Sequence, residues 1–203
     1  MTITLPPRPE FGAPIDQPPA PEVLRFLARR RSSSAVSLGE PGPTTEAVDQ
    51  LLRLATRVPD HGKLSPWRFI VLETEPKARF AARLEAQASA RGDETAVAKL
   101  AKLKVPPLAI AVISRPVAAA IPEWEQVLSA GAVAATLLHA ATAMGFGANW
   151  ITDWYAYDPE ARAALGVTPE EKVAAFVLIG TAAGPPLERD RPDLGAIVSR
   201  WKA

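Results

Sequence analysis

Cysteine is absent from this chain of 203 residues. That absence excludes disulfides, thiolate nucleophiles, iron–sulfur clusters and cysteine-based zinc sites together. Histidine is nearly absent: His61 and His139 are the only two, so a multi-histidine metal site is not expected. Net charge is also small, with 23 Lys plus Arg against 22 Asp plus Glu. Such a balance argues against broad electrostatic binding to nucleic acid or anionic lipid, while leaving room for a local basic pocket. No run of apolar residues reaches the roughly 18 that a membrane span needs. The start, MTITLPPRPEFGAPIDQPPAP, lacks the apolar stretch of a secretory signal, so the expected location is the cytoplasm.

Several common catalytic signatures are missing too. There is no Walker A run and no Gly-x-Ser-x-Gly elbow. Gly145-Phe146-Gly147 supplies only the first two glycines of a dinucleotide fingerprint, and it follows a predicted helix instead of a strand. The carboxylates are scattered among surface-like positions.

What the chain has is an ordinary globular balance, 48% apolar and 22% charged, at a length that suits one domain. Prolines crowd residues 1–21, at 6, 7, 9, 14, 18, 19 and 21. Proline fixes φ and lacks a backbone donor. This stretch reads as a tail or linker, either disordered or an arm over a partner subunit, with the folded domain at 22–203.

Pro21-Glu22 opens a helix that runs into Arg29-Arg30-Arg31-Ser32. A second helix follows Thr44 or Thr45 through Val48, Leu51, Leu52, Ala55 and Val58. Helices are predicted over 76–90, 93–103 and 158–165, and a long one from Glu123 to Met144, apolar almost all round and therefore central. Strands are predicted at 68–73, 108–113 and 172–180, with an extended segment at 148–152. The alternation of helices with few strands suggests α+β or α/β, richer in helix than in sheet.

Three polar clusters stand out. Arg29-Arg30-Arg31-Ser32 reads either as cationic charge at a helix C-terminus or as a phosphate clamp, since guanidinium forks match phosphate oxygens. Arg57-Val58-Pro59-Asp60-His61-Gly62-Lys63-Leu64-Ser65-Pro66-Trp67 is a proline-held loop, either a connection or a site. Arg189-Asp190-Arg191 reads as a solvated cluster or a second clamp. His139, on the apolar helix, reads as a packed core or interface residue.

Taken together, RRRSS, RVPDHGKLSPWRFIVLE, WEQVLSAGAVAATLLHAATAMGFGANWITDW and FVLIGTAAGPPLERDRP resemble the nitroreductase family of FMN-dependent NAD(P)H oxidoreductases, over about residues 22–192. The resemblance implies a mixed sheet wrapped by helices, in an intertwined homodimer with FMN at the interface. It implies FMN contacts from Arg30, Arg31 and Ser32, from Arg57, His61 and Ser65 of the other chain, from Trp150, Ile151 and Thr152, and from Arg189 and Arg191. It assigns Ala140, Ala141, Thr142, Ala143, Met144 and Gly145 to the nicotinamide nucleotide. The implied activity is hydride transfer from NAD(P)H to a nitroaromatic, quinone-like or other small acceptor, by a ping-pong mechanism. A flavin-binding protein without turnover, or a dehalogenating or flavin-degrading relative, has the same motifs.

Overall fold

The computed structural model describes residues 5–202. Of the proline-rich tail, residues 1–4 lie outside the described residues. Among those described, eight α-helices surround one five-stranded sheet.

The strands are β1 (Leu38–Gly39), β2 (Trp67–Leu72), β3 (Leu108–Ser114), β4 (Gly147–Ile151) and β5 (Lys172–Ala182). β5 is the axis: it pairs with β1, β3 and β4, and β2 extends the sheet beyond β3. All four pairings are antiparallel. The α+β class is therefore the expected one, but the sheet within one chain is antiparallel instead of mixed. The connections explain this. After β2 the chain runs through α3 (Thr74–Ala90), then α4 (Glu94–Lys99) and α5 (Ala101–Lys104), which pack back on α3. It re-enters the sheet where it left, with Ala109 opposite Leu72. β3 and β4 run the same way, but β5 lies between them.

Side chains of β3 alternate between two cores. Ala109, Ala111 and Ile113 join one cluster, and Leu108, Ile110 and Val112 join the other. Both faces of the strand are covered, so its sequence reads as unbroken apolar residues. One face is roofed by α3 and α5 with Tyr155 and α7 (Pro159–Ala164). The other is roofed by α2 (Thr45–Ala55) and α6 (Glu123–Ala143).

By length and composition α6 is apolar enough to cross a membrane, but half of its most apolar stretch is buried. Val133, Ala134, Leu137 and Ala141 pack on the sheet. Its outer face keeps Trp124 and Leu128 exposed. The helix ends in a Schellman motif: Phe146 N–H donates to the Ala141 carbonyl, and Gly145 N–H to that of Thr142. Gly145 takes φ +90° there.

The structure departs from the predicted helix over 93–103, which breaks at Leu100 into α4 and α5. The short α8 (Leu194–Ile197) is not among the helices predicted. Among the described residues, the proline-rich arm has no regular secondary structure before α1 (Pro21–Arg29). It lies on its own chain: Arg53 of α2 donates to the Pro6 carbonyl, and Lys63 sits 5.4 Å above the Phe11 ring.

Candidate functional site

The segment after α1 runs as an irregular strip beside β4. Ser33 N–H donates to the Ala148 carbonyl at 3.0 Å, and Asn149 Nδ2 donates back to the Ser33 carbonyl. This pairing sets residues 30–34 against the outer edge of β4. Ala148 turns its backbone to that edge. With the period of two along a strand, Trp150 turns its N–H the same way.

The approach is close because Gly147 has no side chain. A Cβ there would lie 2.5 Å from Leu38 Cδ2, 2.8 Å from Ala182 Cβ and 3.0 Å from Ser33 Oγ. The two glycines of Gly145-Phe146-Gly147 thus have separate tasks, a left-handed helix stop and a tight strand contact.

Between this strip and α6 lies a cleft of about 530 Å³, lined by Arg30, Ser32, Ala135, Leu138, His139, Trp150, Ile151 and Thr152. Arg30 Nη1 lies 3.4 Å from Ser32 Oγ. Trp150 is 38% exposed and forms an aromatic wall. Ile151 leans the other way, against the core under α3. Tyr157 donates its hydroxyl to Thr152 Oγ1 at 3.0 Å.

The C-terminal stretch folds back onto the same strip. Arg31 Nε donates to the Leu187 carbonyl at 2.8 Å. Arg191 Nη2 lies 2.8 Å from Glu188 Oε1 and 3.5 Å from the Arg30 carbonyl. Glu188 also stands 3.8 Å from Arg31, so one carboxylate sits between two guanidiniums. The Arg189 backbone N–H, then Arg191, hold that carboxyl below the usual carboxylate range. Arg191, more than Arg189, is the residue that reaches the strip.

The structure does not bring Arg57, His61 and Ser65 to this cleft. Their loop is built at the other end of α6. The buried Trp67 Nε1 donates to Ser129 Oγ at 3.1 Å, and Ser129 donates to the Pro59 carbonyl at 2.7 Å. Asp60 accepts N–H bonds from Leu64 and Ser65 at 3.1 and 2.9 Å, which folds the loop and leaves His61 exposed. His61 Nδ1 lies 2.8 Å from Glu125 Oε2. Glu125 and Ala135 both lie on α6, ten residues apart, which is about 15 Å along a helix at 1.5 Å per residue.

The segment 140–145 packs more than it lines. Ala140 and Ala141 are buried in the core, and Thr142 Oγ1 donates to the Leu138 carbonyl at 3.0 Å. None of the six residues lines the cleft.

Three contributors to the cleft were not singled out from sequence as site residues: Ala135, Leu138 and His139. A helix apolar all round gives no sign of which face meets a site. His139 is half-buried in the cleft wall, and burial, then the Arg30 charge, lower its pKa from 6.5. Asn149 was also passed over, although asparagine inside a strand is unusual enough to be a signal.

A separate cleft of about 560 Å³ between the starts of α2 and α3 is lined by Glu40, Glu73 and Glu75 and, among the described residues, by no basic one. It does not suit an anion. Among the described residues no cluster of three His, Asp or Glu side chains can hold a metal.

The sequence model of the Nitroreductase family matches residues 27–181. The Escherichia coli K12 protein named "Putative NAD(P)H nitroreductase YdjA" is 37% identical over 163 residues, covering 79% of this chain and 88% of its own. A nitroreductase-like protein from Bacillus cereus superposes with a TM-score of 0.77 at 16% identity, covering 94% of this chain and all of its own. A nitroreductase with bound FMN from Bacteroides fragilis gives 0.68 at 22% identity, covering 88% and 98%.

Proposed function

This chain belongs to the nitroreductase family, and on that premise we propose that it is an FMN-dependent oxidoreductase. It takes hydride from NAD(P)H and passes electrons to a small acceptor, nitroaromatic or quinone-like, by a ping-pong exchange at one face. The NAD(P)H part follows the name of the Escherichia coli relative, and the FMN part the Bacteroides fragilis structure.

The observation that carries the reading is the cleft joining Arg30, Ser32, Trp150 and Thr152 to α6. Its donor set fits FMN. Arg30 in the cleft, with Arg31 and Arg191 on the adjoining strip, offers permanent positive charge for a phosphate or an electron-rich ring edge. Trp150, Leu138 and Ala135 offer apolar surface for a flat ring. The Trp150 N–H, turned away from β5, is a fixed donor aimed at the site. When bound, FMN supplies the hydride acceptance and delivery. The chain's own residues orient it, exclude water from one face and hold charge. His139 stays neutral at neutral pH, because its pKa is lowered, and so adds no further cation beside Arg30.

The site is completed by a second copy. Arg57, His61 and Ser65 face the opposite end of α6 from the cleft, so one chain leaves the two halves apart. Trp124, Leu128, Leu24 and Leu27 leave α6 and α1 with exposed apolar surface, between 50% and 70% accessible, which is the material of a subunit interface. The homodimer works in the cytoplasm, where its nicotinamide co-substrate is made and used.

The test is direct. Heat releases the bound cofactor from purified protein, and chromatography identifies it. FMN, with NAD(P)H oxidation by the intact protein, is expected. FAD, or no flavin, contradicts the reading.

A further inference from the structure

We propose that the proline-rich arm completes a second anion site, in which Arg8, Arg53 and Arg57 hold a multiply charged oxyanion such as a phosphomonoester. That this anion belongs to a substrate of the flavin site rests on the function proposed above. That the cleft binds an oxyanion does not.

The cleft has a volume of about 600 Å³, and Arg8, Gln17, Arg53 and Arg57 are among its lining residues. Among the described residues no carboxylate lines it. None of its three arginines has an ion-pair partner among the described residues, whereas Arg68, Arg79 and Arg91 each hold a carboxylate. Asp49 lies one turn before Arg53 on α2 and makes no ion pair with it. Three guanidiniums around one concavity repel each other, and an oxyanion relieves that repulsion while accepting their planar forks. Gln17 adds an amide donor. The cleft is larger than a lone phosphate needs and falls in the range of small-molecule pockets, so the anion is one end of a larger molecule.

The C-terminus of α2 favours cations and accounts for Arg53 and Arg57. It does not account for Arg8. That residue arrives on a tail outside the family match of 27–181. Two contacts hold the tail in place, Arg53 on the Pro6 carbonyl and Lys63 on the Phe11 ring. Pro6, Pro7 and Pro9 limit the backbone freedom lost in doing so. Arg57 is also the residue that the resemblance assigns to the partner's flavin. The arm thus extends an existing site outward, toward a charged group on a molecule that docks there.

Two sources share this chemistry: the 2′-phosphate of NADPH and an acid group on the electron acceptor. Calorimetric titration of the holoprotein with pyrophosphate, 2′-AMP and adenosine separates them. Pyrophosphate is expected to bind, more weakly as salt rises, and to lose about tenfold in affinity in Arg8→Ala, with partial recovery in Arg8→Lys. If 2′-AMP shows the same loss while adenosine shows none, the dinucleotide phosphate is the source. If only pyrophosphate shows it, the acceptor's acid group is. Pyrophosphate that fails to bind, or binds Arg8→Ala as tightly as the parent protein, overturns the proposal. A protein that proves to lack flavin leaves this titration readable, because Arg8 lies outside the proposed flavin contacts.

Discussion

His139 stands edge-on to Phe26, with ring centroids 6.0 Å apart and planes at 84°. This contact joins the long core helix to the exposed first helix, beside Arg30, at the rim of the candidate cleft. Sequence placed His139 in packing, and the structure gives it packing and a cleft wall together.

A pH dependence follows. Burial, then Arg30, lower the His139 pKa from 6.5, so the unfolded chain takes up this proton more readily than the folded one. Its contribution to stability is complete above the unfolded value and is lost as pH falls through the folded value. His139→Gln removes that component. Between about pH 7 and pH 5 the Tm of the variant is expected to fall less than that of the parent protein. Parallel curves would show that His139 titrates as it does in the unfolded chain.

A second ionisation ties the sheet to the loop before β5. Arg68 donates to both oxygens of Glu171 at 2.7 Å, and to the Gly166 carbonyl at 2.7 Å. Arg68 chiefly, aided by the Thr168 N–H, brings the Glu171 carboxyl down to about 2. A depressed carboxylate contributes stability above its unfolded pKa and loses it as pH falls, here from about 4.5 toward 2. Arg68→Ala is expected to cost about 2–3 kcal/mol at neutral pH, below the range for fully buried pairs because Arg68 is partly exposed. Urea unfolding measures this. The acid limb of the variant's stability curve should also be flatter than the parent's.

Gly147 is the tightest point of the site's frame. Gly147→Ala must displace Leu38, Ala182 or Ser33, and overpacking of this kind costs about 1–3 kcal/mol. Because Ser33 anchors the strip carrying Arg30 and Ser32, flavin retention is expected to fall along with Tm. A variant that loses Tm and keeps its flavin would show that the strip is held by other contacts.

Arg30 and Arg79 offer a contrast between two surface arginines. Arg30 lines the cleft, and Arg79 pairs with Glu75 on the outside of α3. Arg30→Ala is expected to weaken FMN binding about tenfold or more, the worth of a charge-assisted contact. Arg79→Ala should leave it unchanged. Equal affinities by fluorescence titration would remove Arg30 from the site.

Much of this frame was legible in the sequence. β3 and β5 announced themselves as apolar runs because both of their faces are covered, and α6 did so by length. The break at Leu100 was not legible, since local composition on either side suits a helix equally. Nor was the antiparallel sheet, which depends on how α4 and α5 fold back on α3. The motif resemblance picked out Arg30, Ser32, Trp150 and Thr152, which share one cleft. It could not reveal that Arg8 would lie beside Arg57, because prolines report an extended chain and not where the chain rests.

We propose that each site takes Arg30 from one chain and His61 from its partner. Co-expression of differently tagged Arg30→Ala and His61→Ala chains, with isolation of the mixed dimer, tests it most directly. In such a dimer one site carries both substitutions and the other carries neither. The mixed dimer is therefore expected to hold one FMN per two chains, while each variant alone holds little. A mixed dimer as poor in flavin as its parents would place both residues in the same chain's site and contradict the account.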